Sequence, residues 1–251
     1  MLNGSDPHWA QSPMAPDRFT AWQCIALCQE GLCTHVARIA GGYAAMPQSE
    51  NVRVWASRAF MDSSRIKGFT ADPLPTGMGL GQMAELNEAG ERMSAEHFPK
   101  EIFAEYPDKK EKKQADLVLA AGVVVVSAAC AEVLRQFDLG HSSLYPIKLF
   151  QHDRTTLVEG EYFCLNIGER KDTFLRSQSQ KVIEFDNGLL TMRPHLLDGD
   201  VAVSPLEGSD LWVSPPLIRL FFLSDRLTQA LRAAKMGRVF GFRTCRIVEA
   251  V

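Results

Sequence analysis

Two stretches of the chain share one pattern of apolar and polar positions. From residue 123 the sequence reads VVVVSAACAEVLRQFDLGHSSLYPIKL, and from residue 220 it reads LFFLSDRLTQALRAAKMGRVFGFRTCR. Slid by 97 residues, the two match without a gap. Val123–Val126 faces Leu220–Leu223, Ser127 faces Ser224, Leu134 faces Leu231, Arg135 faces Arg232, Gly140 faces Gly237 and Tyr145 faces Phe242. Each copy predicts the same local plan. Four consecutive apolar residues suit a strand buried on both faces. The serine that follows can accept a backbone N–H from the next turn and start a helix. A helix of about three turns fits the length before each glycine. Gly140 and Gly237 permit a left-handed stop, and an aromatic strand follows. The shared serine, glycine and lengths read as a duplicated structural unit, at about 123–149 and 220–247.

The remaining pattern surrounds these units with strands and loops. Residues 160–174 alternate Tyr162, Cys164 and Asn166 against Phe163, Leu165 and Ile167, a strand buried on much of both faces. Between 180 and 194, Val182–Phe185 and Leu189–Met192 flank Asp-Asn-Gly, a hairpin signal with Gly188 free to take positive φ. Residues 51–60 alternate Val52, Val54 and Ala56 with polar neighbours and predict a strand. A loop rich in Pro and Gly spans 69–81, and residues 83–97 set Met83, Leu86, Gly90 and Met93 on one face of a helix. Together these elements predict an α+β fold, with helices lying against mainly antiparallel sheet. Residues 1–20, with Pro7, Pro13 and Pro16, have the composition of a loose arm. The charged connector PDKKEKKQAD at 107–116 is the natural boundary between an N-terminal half, 21–110, and an α+β domain, 111–251. Its four lysines, beside two aspartates and a glutamate, read as a solvated face.

Composition narrows the function classes. The net charge of −3 gives no general attraction to nucleic acid or to an anionic membrane. The longest apolar run, 117–134, is broken by Gly122 and Ser127 and carries Glu132, so it does not read as a membrane span. Without a visible secretory signal, the six cysteines argue for reduced thiols and a cytoplasmic protein. Cys24, Cys28, Cys33 and His35 offer four soft ligands within a dozen positions. Their spacing fits the paired ligands of structural zinc only loosely, and Cys130, Cys164 and Cys245 stand alone. Small buried thiols on a helix are the preferred reading, so no cofactor is expected. A metal centre built on those four residues is the alternative.

Catalytic constellations are hard to assemble from this sequence. Ser127 and Ser224 read as helix caps, and no GxSxG occurs. Gly77, Gly79 and Gly81 are spaced one residue too closely for a dinucleotide loop. His152 and Asp153 are adjacent in the chain, so in an extended segment they point opposite ways. Asp172, Asp198 and Asp200 lie in separate loops. Asn166, in an otherwise apolar strand, must satisfy its amide locally and is read as a structural lock. No catalytic residue is expected.

Three segments carry a resemblance. One is the strand–Ser–helix unit before a Tyr145-Pro146 strand. A second is Tyr162, Leu165 and Asn166 followed by Arg170 and Asp172. The third is the terminal LSDRL…AL…G…F unit. Over roughly 115–248 the chain resembles a bacterial immunity-protein family of polymorphic toxin systems, first catalogued as a domain of unknown function. The resemblance implies binding and neutralising a cognate toxin, and it brings no catalytic residues with it. A protein of this kind needs an exposed patch with aromatic or arginine anchors. Trp212 and Trp55 are the candidate anchors. Hydrophobic edge strands in the repeated units also leave open a homo-oligomer paired across a two-fold axis.

Overall fold

A computed structural model describes residues 53–205 and 208–248. The fold is α+β, with mostly antiparallel pairing. A four-stranded sheet has the order β12-β13-β1-β14, where β1 is Val54–Ser57, β12 Leu211–Trp212, β13 Phe221–Ser224 and β14 Phe242–Thr244. A seven-stranded sheet has the order β2-β5-β6-β8-β7-β4-β3. Its strands are β2 Ile66–Lys67, β3 Phe69–Thr70, β4 Glu101–Ala104, β5 Leu117–Ala120, β6 Val123–Ser127, β7 Ser143–Phe150 and β8 Tyr162–Asn166. Two short pairs complete the set. One is the hairpin of β9, Val182–Glu184, with β10, Leu190–Met192; the other joins β11, Ala202–Val203, to β15, Arg246–Ile247.

The helices explain how two sheets share one interior. They are α1 Leu80–Glu88, α2 Ala128–Leu134, α3 Asp225–Ala233 and the single turn α4 Gly237–Phe240. One face of β6 gives Val124 and Val126 to a core with Leu134, Phe221, Leu223, Leu227 and Leu231, so α2 and α3 lie within it. The other face gives Val123 and Val125 to a core with Met83 of α1, Ile102 and Ile147. The valine run is therefore buried on both sides, and each such side chain contributes roughly 1.5–3 kcal/mol of burial. A third core joins Val54, Ala56 and Phe222 of the four-stranded sheet to Leu190 and Met192 of the hairpin.

The two strand–Ser–helix units are present, and they match more deeply than the sequence pattern suggested. Ser127 accepts from the Cys130 N–H at 3.2 Å, and Ser224 accepts from the Leu227 N–H at 3.3 Å. Each serine is also latched to an aspartate just before the preceding strand. Ser127 donates its hydroxyl to Asp116 Oδ1 at 2.7 Å and its N–H to the Asp116 carbonyl at 3.2 Å. Ser224 donates its hydroxyl to Asp210 Oδ1 and its N–H to the Asp210 carbonyl at 3.0 Å. The sheet orders correspond as well. β8 pairs antiparallel with both β6 and β7, and β1 pairs antiparallel with both β13 and β14. In each unit the helix thus connects two parallel strands across an intervening third.

Several expectations need correction. Residues 111–251 are not a separate domain: β1 lies inside the four-stranded sheet, and β2, β3 and β4 are strands of the seven-stranded one. The connector at 107–116 joins strands β4 and β5 of that same sheet. The helix expected at 83–97 starts at Leu80 and ends at Glu88. Gly90 then takes φ +76°, and a Cβ there would sit 2.4 Å from Val213 Cγ2, so the chain turns where only glycine fits. Helix α2 has seven residues, about two turns rather than three. Gly140 is left-handed with φ +57° but lies beyond the end of α2 at Leu134, and Gly237 opens α4 instead of stopping α3, so neither glycine is the helix stop. Lys235, at φ +63°, holds the left-handed position after α3.

Candidate partner-binding face

The hairpin forecast at 180–194 carries the most distinctive exposed surface. Its ladder pairs Met192 with Val182, Thr191 with Ile183 and Leu190 with Glu184. Phe185 N–H then donates to the Leu189 carbonyl at 2.9 Å, and Gly188 N–H returns to the Phe185 carbonyl at 2.9 Å. Gly188, at φ +80°, supplies the positive φ of the three-residue turn, and the Asn187 side chain accepts from the Leu189 N–H at 3.1 Å. Strand alternation sorts the side chains by face. Leu190 and Met192 point inward and are 4% and 1% exposed. Ile183, Phe185 and Leu189 share the opposite face and are 36%, 39% and 36% exposed.

This hairpin is fastened at its base. Leu190 N–H donates to the Pro216 carbonyl at 3.0 Å, and Ile218 N–H to the Leu190 carbonyl at 2.8 Å. Lys181 Nζ reaches Asp200 Oδ2 at 2.8 Å and the His195 carbonyl at 3.2 Å. Burial works against the Asp200 charge, yet the Lys181 ammonium and the Leu197 N–H hold its carboxyl below the usual range. An apolar, anchored, outward face of this kind is suited to covering by another protein.

The tryptophan anchors expected from the sequence are not on the surface. Trp212 is 2% exposed and Trp55 6%. Trp212 donates Nε1–H to Thr173 Oγ1 at 3.1 Å, and Trp55 to Asp225 Oδ1 at 2.7 Å. Both rings fill the interior because they sit on strands of the four-stranded sheet, covered on both faces. Cys24, Cys28, Cys33 and His35 lie outside the described residues. Among the described residues no group of three metal-ligating side chains converges. Cys130 and Cys164 are buried; burial pushes the Cys130 thiol up to about 12 and raises that of Cys164 as well.

The other polar residues singled out by sequence are held in local roles. Asn166 is fully buried, and its amide is satisfied on both ends. Its Oδ1 accepts from the Met93 N–H at 3.1 Å, while Nδ2 donates to Asn87 Oδ1 at 2.9 Å and to the Glu91 carbonyl at 3.0 Å. Sequence reasoning missed Asn87, which in turn donates to the Leu165 carbonyl at 3.2 Å and accepts from the Ile167 N–H at 3.0 Å. His152 meets the Ala104 carbonyl at 3.1 Å, while Asp153 closes its own turn onto Thr155 and Thr156. Those hydrogen bonds, led by the Thr156 hydroxyl, hold the exposed Asp153 carboxyl down to about 2. His141 pairs with Glu169 at 2.7 Å on the surface. Asp198 accepts from the Thr244 N–H, far in role from the Asp200–Lys181 pair.

No protein-family model and no curated protein matches the chain. No helix among the described residues is long and apolar enough to cross a membrane.

Proposed function

We propose that this chain is a non-catalytic binding protein that neutralises a bacterial toxin by direct contact, as the immunity proteins it resembles do. The observation that carries the reading is the outward face of the hairpin, where Ile183, Phe185 and Leu189 stand exposed on an anchored scaffold. Exposed aromatic and aliphatic side chains on a rigid element are what a buried interface centre needs. The reading places the protein in the cytoplasm.

The test co-expresses this chain with the product of the neighbouring gene. Co-expression with the wild-type chain restores growth, and the two proteins copurify in equal amounts. The triple variant Ile183→Ser, Phe185→Ser, Leu189→Ser remains folded, because all three side chains are exposed, but loses the complex by at least about tenfold in affinity. Failure of the wild-type chain to protect or to copurify would overturn the reading. Protection by an undiminished triple variant would move the contact elsewhere. Metal content read on the same sample decides whether the cysteine alternative returns.

A further inference from the structure

The fold closes or covers one strand edge after another. Gly68 alone separates β2 from β3, so the seven-stranded sheet closes on itself. Just past β12, Val213 donates its N–H to the Glu169 carbonyl and accepts from the Lys171 N–H, both at 2.9 Å. At β14 the Thr244 carbonyl accepts from the Gly199 N–H at 2.8 Å. The outer edge of β9 has no such cover. Leu190 of β10 directs its N–H to the Pro216 carbonyl and its carbonyl to the Ile218 N–H, away from β9. Glu184, opposite Leu190 in the antiparallel ladder, therefore turns its own N–H and carbonyl away from β10. The flanking bonds agree: the Lys181 carbonyl accepts from the Arg193 N–H at 3.0 Å, and the Phe185 N–H reaches Leu189. Residues 181, 183 and 185 thus face β10, while Val182 and Glu184 face outward. Among the described residues, nothing pairs with the outward N–H or carbonyl of either one. Val182 also borders a hollow of about 610 Å³, whose other walls include Phe174, Arg176 and Ser179.

We propose that β9 is a strand-addition site, an inference that rests on the binding-protein reading: an extended segment of the bound protein pairs with its outer edge. Unpaired backbone donors and acceptors in a row are matched by another extended backbone, so the edge itself selects the chemistry of its occupant. Charge does not select it, because Glu184, the charged side chain of β9, is already held by Arg176. Period-two alternation divides the side chains of the incoming strand. Those on the side of Ile183 continue the exposed apolar face, and those on the side of Val182 meet the hollow. The hairpin is anchored before the partner arrives, which lowers the ordering cost of the encounter. A second copy of this chain fits less well than a different protein. Antiparallel pairing of two β9 strands about Ile183 sets the two Glu184 carboxylates diagonal to each other on one face.

Titration calorimetry of the full chain with the product of the neighbouring gene tests this, comparing Glu184→Pro with Glu184→Ala. Proline removes an N–H that bonds nothing within the chain, and it is tolerated where a strand edge faces solvent. Alanine keeps that N–H and controls for the lost carboxylate. The proline variant should bind at least about tenfold more weakly than wild type, and the alanine variant within about threefold of it. Amide hydrogen exchange on the wild-type chain gives a readout that needs no variant: Val182 and Glu184 should slow at least about tenfold in the complex. Undiminished binding by a folded Glu184→Pro chain, or unchanged exchange at both amides, would overturn strand addition while leaving the hairpin face as the contact. Protection of both amides in a dimer of this chain alone would give the edge to a second copy and overturn it as well. Absence of any complex would overturn the binding reading itself, and strand addition with it.

Discussion

The two strand–Ser–helix units follow one plan but are completed differently. The first is closed by its own chain, since β8 follows β7 and inserts between β6 and β7. The second is closed by β1, whose Trp55 lies 170 positions before its hydrogen-bond partner Asp225. What both keep is the Asp–Ser latch, the capped helix and the central antiparallel strand. What varies is where that strand comes from. A sheet slot is specified by its two apolar faces and its ladder of backbone groups, and any segment of suitable pattern can fill it. The cost falls on folding kinetics: the second unit must close a far longer loop before its sheet is complete.

The polar residue that ends each central strand gives the largest expected contrast. Asn166 ends β8 opposite Ser143, and Ser57 ends β1 opposite Phe242. Ser57 is fully buried and donates one bond to the Phe240 carbonyl at 2.7 Å. Asn166 joins α1, the Glu91–Met93 turn and β8 through a network shared with Asn87. Replacing Asn166 with leucine leaves several buried groups unpartnered, at a cost of about 3–5 kcal/mol and roughly 10 °C in Tm. Ser57→Ala removes that bond and the longer one accepted from the Ala59 N–H at 3.3 Å, and should cost about 1–2 kcal/mol. Urea denaturation measures both. Equal losses would mean that the Asn166 network has no more structural weight than the Ser57 hydroxyl.

The latches give the next contrast. Asp210 is fully buried and binds across units, accepting from the Asp138 N–H at 3.0 Å and from Arg226 Nη2 at 2.7 Å besides Ser224. Asp116 is partly exposed and serves Ser127. Asp210→Ala is expected to cost about 2–4 kcal/mol and Asp116→Ala about 1 kcal/mol. The same denaturation assay ranks them. A reversed order would show that the contacts between units carry little of the stability.

How much of this was legible follows from which interactions are local. Strands β6, β8 and β13 were readable because burial on both faces leaves an uninterrupted apolar run, and the serines because a cap acts within three residues. The hairpin was readable because Asp-Asn-Gly demands one turn chemistry. The aspartates of the latches were not, since a gapless slide of 97 sets Asp116 opposite Val213 rather than Asp210. The DL that opens DLVLA and DLWVS was the available signal. Trp55 and Trp212 were misplaced because aromatic residues serve interiors and interfaces alike, and only the partner strands decide. The exposed face of Ile183, Phe185 and Leu189 was likewise hidden, because both sides of that hairpin read as apolar. Its orientation depends on the distant Pro216 and Ile218 backbone.

The turn before each Ser-capped strand supplies the smallest test. In the first unit Ala121 and Gly122 form a two-residue loop with φ +50° and +77°, between Ala120 and its partner Val123. An alanine in the left-handed region is strained, whereas asparagine adopts it readily, and Asn-Gly is the favoured pair for such turns. Gly122 must stay, because a Cβ there would lie 3.2 Å from the Leu80 carbonyl oxygen. The second unit replaces this turn by the long segment between β12 and β13, where Arg219 at φ +63° takes the left-handed position two residues before the strand. Ala121→Asn should therefore raise stability by about 0.5–1 kcal/mol, a gain of roughly 2 °C in Tm by calorimetry. An unchanged or lower Tm would mean that the packing of Ala121 against the core beside α1 outweighs its backbone strain. In that case the short turn persists in the first unit for its side chain rather than for its geometry.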